Sequence, residues 1–456
     1  MMMQDALPWI KSFCRIAGFN QHSRDFTIRM MIAFMFHSGR MSALQAATAV
    51  RADPRHRAQV SRFLTGSGLV NGSREYQELA AALIALESRR RGRWLFLVDK
   101  TCTSRQGTKT PNTFSTGNRR RRPKKGRRYN KKKNAPKRCH GFVVGLLITP
   151  SGYRIPFHRC YYTEAYCKQK KLDHRTEAEL GAALIRDLPV PDGVKVVVLG
   201  DTAYEAASVR EACDERKFKW ITPSNPERVL ASEKPRPKVS SRISDMTARQ
   251  FSPIRLKPTA GKYVAQRRVS ASRIGPKAKT RTFYAHKERL DVHNISKVQA
   301  VFSTKEKPEN GKPIDRKKTK ILLTNDLTLS MAEIVELYGL RWQIELFFKE
   351  LKSTLGFHQY GFTNFEAVES WVECCLITFL YLEWYRAKHL AKRGLSKEAK
   401  RWWSCQRTHG LCQAVCQEAE GKELTRLADW SRTPSGMKKL KRLVRAARPT
   451  EYQIAK

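Results

Sequence analysis

Asp99, Asp201 and Glu345 are the residues whose type and placement could do chemistry. Asp99 ends the apolar run Trp94-Leu95-Phe96-Leu97-Val98, and Asp201 follows a second run, Val194 to Leu199, by way of Gly200. Each run reads as a buried strand with a carboxylate at its C-terminal end, and neighbouring strands can bring two such ends together. Glu345 belongs to a helical stretch starting at Asp326 or Ser330 and running through about Leu355. Within it, Tyr338, Arg341, Glu345 and Lys352 fall within about 60° of one another around the helix. Leu337, Leu340, Ile344, Phe347, Leu351 and Leu355 form the adjoining apolar stripe. Such a helix buries one side against a sheet and carries an aromatic, two cations and a carboxylate along its edge. Clustered carboxylates repel and raise each other's pKa, and a divalent ion relieves that repulsion with oxygen ligands. Two Mg2+ ions about 3.5–4 Å apart would clamp a scissile phosphate, activate the attacking water or 3′-hydroxyl and stabilise the leaving oxygen. Singly, Asp99 and Asp201 are ordinary strand-end turn residues and Glu345 an i,i+4 partner of Arg341. Their joint arrangement predicts phosphoryl transfer on nucleic acid.

The charge agrees. The 456 residues include 88 Lys+Arg against 41 Asp+Glu, a net +47. An excess of that size repels itself unless a polyanion neutralises it, which makes nucleic acid the leading partner. A hydrophobic content of 41% excludes wholesale disorder. The longest apolar run, Cys374 to Leu382, is flanked by Glu373 and Glu383 and is far short of the roughly 20 residues a bilayer span needs. The N-terminus lacks the pattern of a signal peptide, so no membrane partner and a cytoplasmic, nucleoid-associated location are expected. The eleven cysteines show no disulfide spacing. Cys405, His409, Cys412 and Cys416 share one face of a single helix, but the first and last would stand about 16 Å apart, too far for one zinc.

Four regions follow from the patterning. Residues 1–88 read as a helical, DNA-binding region. Ser42 opens a capping box, Asp53-Pro54 starts a second helix, and Val60, Phe63 and Leu64 would pack against Leu44, Ala47 and Val50. That pair fits a helix-turn-helix whose exposed residues include Arg55, His56, Arg57, Gln59 and Arg62, or equally a plain helical hairpin with a basic face. Residues 89–222 and 323–395 form an α/β core. The hairpin is His140 to Ile148 with Tyr153 to Tyr162, the helix is Glu177 to Leu188, and a short strand runs Phe218 to Ile221. Between the first strand and the hairpin, 13 of the 20 residues from Arg119 to Arg138 are Lys or Arg. This block, including Arg120, Lys124, Arg127 and Lys132, cannot pack as a core and is either a disordered loop that only adds solubility or, the favoured reading, an arm that follows phosphates. Residues 223–322 are expected to be an inserted small β domain with strands near Arg281 to Ala285, Val298 to Thr304 and Lys320 to Thr324, and a hairpin turn at Asn310-Gly311. Residues 396–456 form a C-terminal helical region.

Tyr338-x-x-Arg341-x-x-x-Glu345-x-x-x-x-x-x-Lys352 resembles the Y-R-E-K signature of DDE-type bacterial insertion-sequence transposases. Asp99 and the Gly200-Asp201-x-x-Tyr204 motif match that family's first and second catalytic aspartates. The resemblance covers about residues 93 to 395 and implies a ribonuclease-H-like mixed sheet with flanking helices, interrupted by a β-rich insertion before the catalytic helix. It further implies that Asp99, Asp201 and Glu345 ligate two Mg2+ ions, with Mn2+ able to substitute. Arg341 and Lys352 would hold phosphates, and Tyr338 would contact the DNA backbone or a distorted terminal base. The expected activity is cut-and-paste transposition by a homodimer on paired transposon ends. Rival expectations are a DNA-binding protein without catalysis, an RNA-binding protein and a nuclease without strand transfer. Glu205 and Asp326 are weaker acidic candidates near the site, and Glu350 points away from it.

Overall fold

The computed structural model describes residues 7–36, 57–89, 91–105, 110–116, 137–225, 227–231, 236–257, 262–267 and 280–447. The first helix of the expected helix-turn-helix, Arg55, His56, the side chain of Arg57 and the arm residues Arg120, Lys124, Arg127 and Lys132 lie outside these.

Among the described residues four helices come first: α1 (Ile10–Cys14), α2 (Gln21–Phe36), α3 (Arg57–Gly66) and α4 (Arg74–Ala85). Val60, Phe63 and Leu64 are buried on α3, as their spacing requires, and Phe63 stacks on Phe26 of α2. The α/β core follows with β1 (Arg93–Arg105), β2 (Phe114–Thr116), β3 (Lys137–Ile148), β4 (Arg154–Tyr161), α5 (Glu164–Lys170), α6 (Glu177–Arg186), β5 (Lys195–Leu199), α7 (Ala207–Glu215) and β6 (Lys219–Pro223). The segment after it supplies β7 (Ser252–Leu256), β8 (Arg281–Val292), β9 (Ser296–Thr304) and β10 (Lys320–Thr324). The chain closes with α8 (Met331–Leu340), α9 (Trp342–Thr354), α10 (Phe365–Leu390), α11 (Lys397–Cys405), α12 (Thr408–Ser431) and α13 (Pro434–Ala447).

All ten strands join one sheet, ordered β3-β1-β5-β6-β10-β9-β8-β7, with β2 and β4 both paired to β3. β1 runs antiparallel to β3 and parallel to β5, and β5 is parallel to β6. This is the ribonuclease-H-like mixed sheet with flanking helices that the motifs implied. The strands of segment 223–322 extend that same sheet, because β10 pairs with β6. The tight hairpin there joins β8 to β9 through Asn294, whose φ of 60° an Asn tolerates. Asn310-Gly311 turns instead within the long β9–β10 connection, with Gly311 at φ 78°.

The expected long helix is two, α8 and α9, meeting at Arg341. Ser330 starts α8 through a capping box with Glu333. Asp326, the alternative start, accepts hydrogen bonds from Thr328 and pairs with Arg93 at the opening of β1, so it is remote from the end of that strand. The cysteine face is likewise broken, since α11 ends at Cys405 and α12 begins at Thr408.

Three buried carboxylates fasten these layers. Glu383 of α10 and Glu350 of α9 both bind Arg154 of β4, at 3.3 Å and 3.0 Å, and all three side chains are nearly inaccessible. Glu350 also caps α12 by accepting from the Thr408 amide and hydroxyl. Glu373 of α10 accepts from Gly72 N–H and from the amide and hydroxyl of Ser73, tying the start of α4 to the core. Removing one partner of a buried charge network leaves the others desolvated and unpaired. Arg154→Ala is therefore expected to lower unfolding free energy by about 3–5 kcal/mol in urea titrations; a loss below about 1 kcal/mol would show that the network does not anchor α9.

Candidate active site

β1 and β5 are in parallel register with Leu97 opposite Leu199, so the chain two residues further on carries Asp99 and Asp201 to the same sheet edge. β1 continues six residues beyond Asp99 through its antiparallel pairing with β3, which keeps Asp99 on a rigid strand. Asp201 caps a short 3₁₀ turn, accepting from the Ala203 amide at 2.9 Å. The turn ends in Tyr204, whose Cβ would lie 2.7 Å from a Cβ on Gly200 and whose ring would lie 2.8 Å from a Cβ on Gly181. Glycine at both positions therefore lets the tyrosine wedge under the Asp201 turn. Its phenol lies among Glu177, Asp99 and Asp201, and burial first, then those charges, hold its pKa well above the ordinary value.

Glu345 reaches the edge from α9. Arg341, at the α8–α9 junction, donates from one guanidinium nitrogen to Glu345 at 2.6 Å and from another to Asp99 at 3.3 Å. It bridges two of the three carboxylates. Burial, then the Asp201 charge, push the Asp99 carboxyl up to about 6; the Lys100 amide and Arg341 oppose the rise, and Glu345 adds to it. Asp99 thus feels both other carboxylates, which is the mutual repulsion expected of a cluster. Among the described residues no three His, Cys, Asp or Glu side chains converge closely enough to grip an ion as they stand, and Arg341 occupies oxygens of two of the carboxylates. The donor set nonetheless fits a hard divalent cation: three carboxylates, one held reluctantly ionised, with positive charge drawn to them.

The remaining signature residues line the same edge. Lys352 donates to the Cys102 carbonyl of β1 at 3.0 Å, three residues beyond Asp99, and loss of solvation lowers its pKa. Tyr338 lies close enough to Asp201 and Glu345 for both to act on its phenol, which burial raises first. Gln59 and Arg62 are on α3, where Arg62 is exposed, and both line a groove shared with His22 and Arg29 of α2. Glu205 is buried and bound to Arg228 and the Asn225 amide, supporting the turn after Asp201 without joining the cluster. Glu350 faces the opposite side of α9, as expected. His140 is buried between the Pro111 carbonyl and the Tyr360 hydroxyl, a structural role.

Sequence reasoning missed three supports: the Tyr204 wedge, the Lys100–Glu177 ion pair at 2.5 Å beside Asp99, and Lys320, whose ammonium lies 5.0 Å from the centre of the Tyr338 ring. Only Tyr204 left a signal, as the aromatic of the Gly-Asp-x-x-Tyr motif.

No curated protein matches the chain. The family model described as Transposase DDE domain matches residues 90–380. That interval begins just ahead of the strand that carries Asp99 and closes within α10, beyond the helix that carries Glu345. The two aspartates and the glutamate brought to one sheet edge are thus framed by a match over well more than half of the sequence, and the chain belongs to the transposase DDE domain family.

Proposed function

We propose that the protein is a cut-and-paste transposase that binds the terminal inverted repeats of its own element and cleaves and joins DNA strands at Asp99, Asp201 and Glu345. The observation that carries this reading is the parallel register of β1 and β5, which sets Asp99 and Asp201 side by side, with Arg341 tying Glu345 to Asp99. The three carboxylates would hold two Mg2+ ions, for which Mn2+ could substitute. When bound, such ions activate the attacking oxygen and stabilise the leaving one.

The chain's own groups do the positioning. Tyr204 and the Ala203 amide hold the Asp201 carboxylate in place, and the strand beyond Asp99 does the same for its partner. Arg341 pairs with Asp99 and Glu345, and would be released by divalent ions taking those oxygens. Its guanidinium is then free to turn to a phosphate oxygen, in the fork geometry that suits arginine. Lys352 would take a neighbouring phosphate, and Tyr338 the backbone or a distorted terminal base. Region 1–88, through Arg57, Gln59 and Arg62, and the arm residues Arg120, Lys124, Arg127 and Lys132 would hold the duplex at a distance from the cut. Two protomers would act on paired ends. Among the described residues no helix is long and apolar enough to cross a membrane.

With Mg2+, the wild-type protein is expected to cut a duplex copied from the inverted repeats flanking its gene. Asp99→Asn, Asp201→Asn and Glu345→Gln should each lower the cleavage rate by about 10³-fold or more while retaining DNA binding in a gel-shift assay. Near-wild-type cutting by any of them removes that residue from the site, and cutting without strand joining would reduce the protein to a nuclease.

The raised Asp99 pKa makes a separate statement about metal-free stability. Between the ordinary value of 3.8 and about 6, the folded chain holds a proton there that the unfolded chain has released. Stability from this group is therefore complete below about pH 4 and is lost as pH rises to about 6. Asp99→Asn escapes that loss. In metal-free scanning calorimetry at pH 7.5 its unfolding temperature should exceed that of wild type by about 2 °C, the shift that about 1 kcal/mol gives in a large domain. An equal or lower temperature would mean that burial and the neighbouring carboxylates do not penalise the ionised Asp99.

A further inference from the structure

The sheet continues past β6, and its extension reaches the catalytic edge. β6 is parallel to β5, and β10 runs antiparallel to β6 with Leu322 opposite Pro223 and Thr324 opposite Ile221. The first residue of β10 therefore stands at the carboxyl end of β6, on the edge where Asp99 and Asp201 stand. That residue is Lys320. Its partner across β9 is Ser303, and Lys305 follows the end of β9, so a second cation lies on the same edge.

Lys320 is exposed, and among the described residues no carboxylate lies within ion-pair distance of it. Its ammonium instead lies 5.0 Å from the Tyr338 ring centre, over an aromatic already on the active-site stripe. A cation–π contact steadies a lysine without neutralising it. Loss of solvation, then the Arg341 and Lys305 charges, lower its pKa while Glu345 opposes them, so all three are within electrostatic reach. A full positive charge held by a ring, at the mouth of a carboxylate cluster and beside two further cations, is a configuration that a phosphate stabilises.

We propose that Lys320, delivered by the last strand of segment 223–322, is a substrate-positioning residue that binds a backbone phosphate of the DNA strand beside the cleavage point. The inference rests on the DNA-cutting assignment above and gives the inserted segment a place in it: it lengthens the sheet so that the catalytic edge carries phosphate ligands beyond β6. Arg341 and Lys352 serve the phosphates nearest the carboxylates; Lys320, on the far side of Tyr338, serves the next along the strand.

The test compares full-length wild type, Lys320→Ala and Lys320→Arg, with Lys195→Ala as a control at the opposite edge of the sheet, where β5 begins. Each is titrated against a duplex copied from the DNA flanking the gene, across about 50–200 mM salt. One lost phosphate contact makes the slope of log affinity against log salt shallower by about 0.9 and weakens binding roughly eightfold near 0.1 M salt. Lys320→Ala is expected to show both changes and slower cleavage at saturating DNA, Lys320→Arg neither, and Lys195→Ala an unchanged slope, all with wild-type unfolding temperatures. If Lys320→Ala keeps the wild-type slope, or Lys195→Ala changes it equally, the contact is overturned while the function stands. If wild type itself does not bind the duplex, the function falls and this contact with it.

Discussion

A half-buried Asp99 carboxylate held at one sheet edge with Asp201 and Glu345 in electrostatic reach is the constraint around which the rest of the site is arranged. Such a cluster relaxes if its members can move apart, so each is mounted on an element that cannot. Asp99 lies within a strand paired on both sides, Asp201 caps a turn wedged by Tyr204 against two glycines, and Glu345 rides on a helix pinned from behind. The pin is the Arg154 network, whose Glu350 is five residues along the same helix and faces the other way. Arg341 answers the repulsion directly by donating to two of the three. A guanidinium suits that post: it stays charged, it can bind two oxygens at once, and it gives them up readily to a phosphate.

Much of this was legible in the residues. The β1 and β5 runs announce themselves as continuous apolar stretches because both faces of a central strand are covered; Asp201 follows the end of β5, whereas β1 runs on past Asp99 to Arg105. The signature helix could be read because Tyr338, Arg341, Glu345 and Lys352 share a stripe beside an apolar one. The supports were less visible for physical reasons. Arg154 and Glu383 are 229 residues apart and nothing local distinguishes them from surface charges. Lys320 is one of 25 Lys/Arg between positions 221 and 320, and only strand register separates it from its neighbours. The break between α8 and α9 falls within a pattern of unbroken helical period, and Gly339, two residues ahead of Arg341, is the one local residue that weakens the helix there.

Segment 223–322 is where sequence and structure are most instructively different. Its composition and turns suggest a small β domain by itself. Hydrogen bonding makes it a continuation of the core sheet, because β10 must return to β6 before the chain can enter α8. An insertion that shares the sheet transmits its position to the site rigidly, whereas one on a flexible stalk would not. Among the described residues, Arg341, Lys352 and Lys320 set positive charge beside the edge that carries the three acids.

The central claim is that Asp99, Asp201 and Glu345 act together on a divalent cation. It is tested most directly by titrating Mn2+ into the full-length protein at neutral pH and counting bound ions by electron paramagnetic resonance, in wild type and in the triple variant Asp99→Asn/Asp201→Asn/Glu345→Gln. The account predicts saturable binding in wild type that the triple variant loses, with both proteins folded. Equal binding by the two would contradict it.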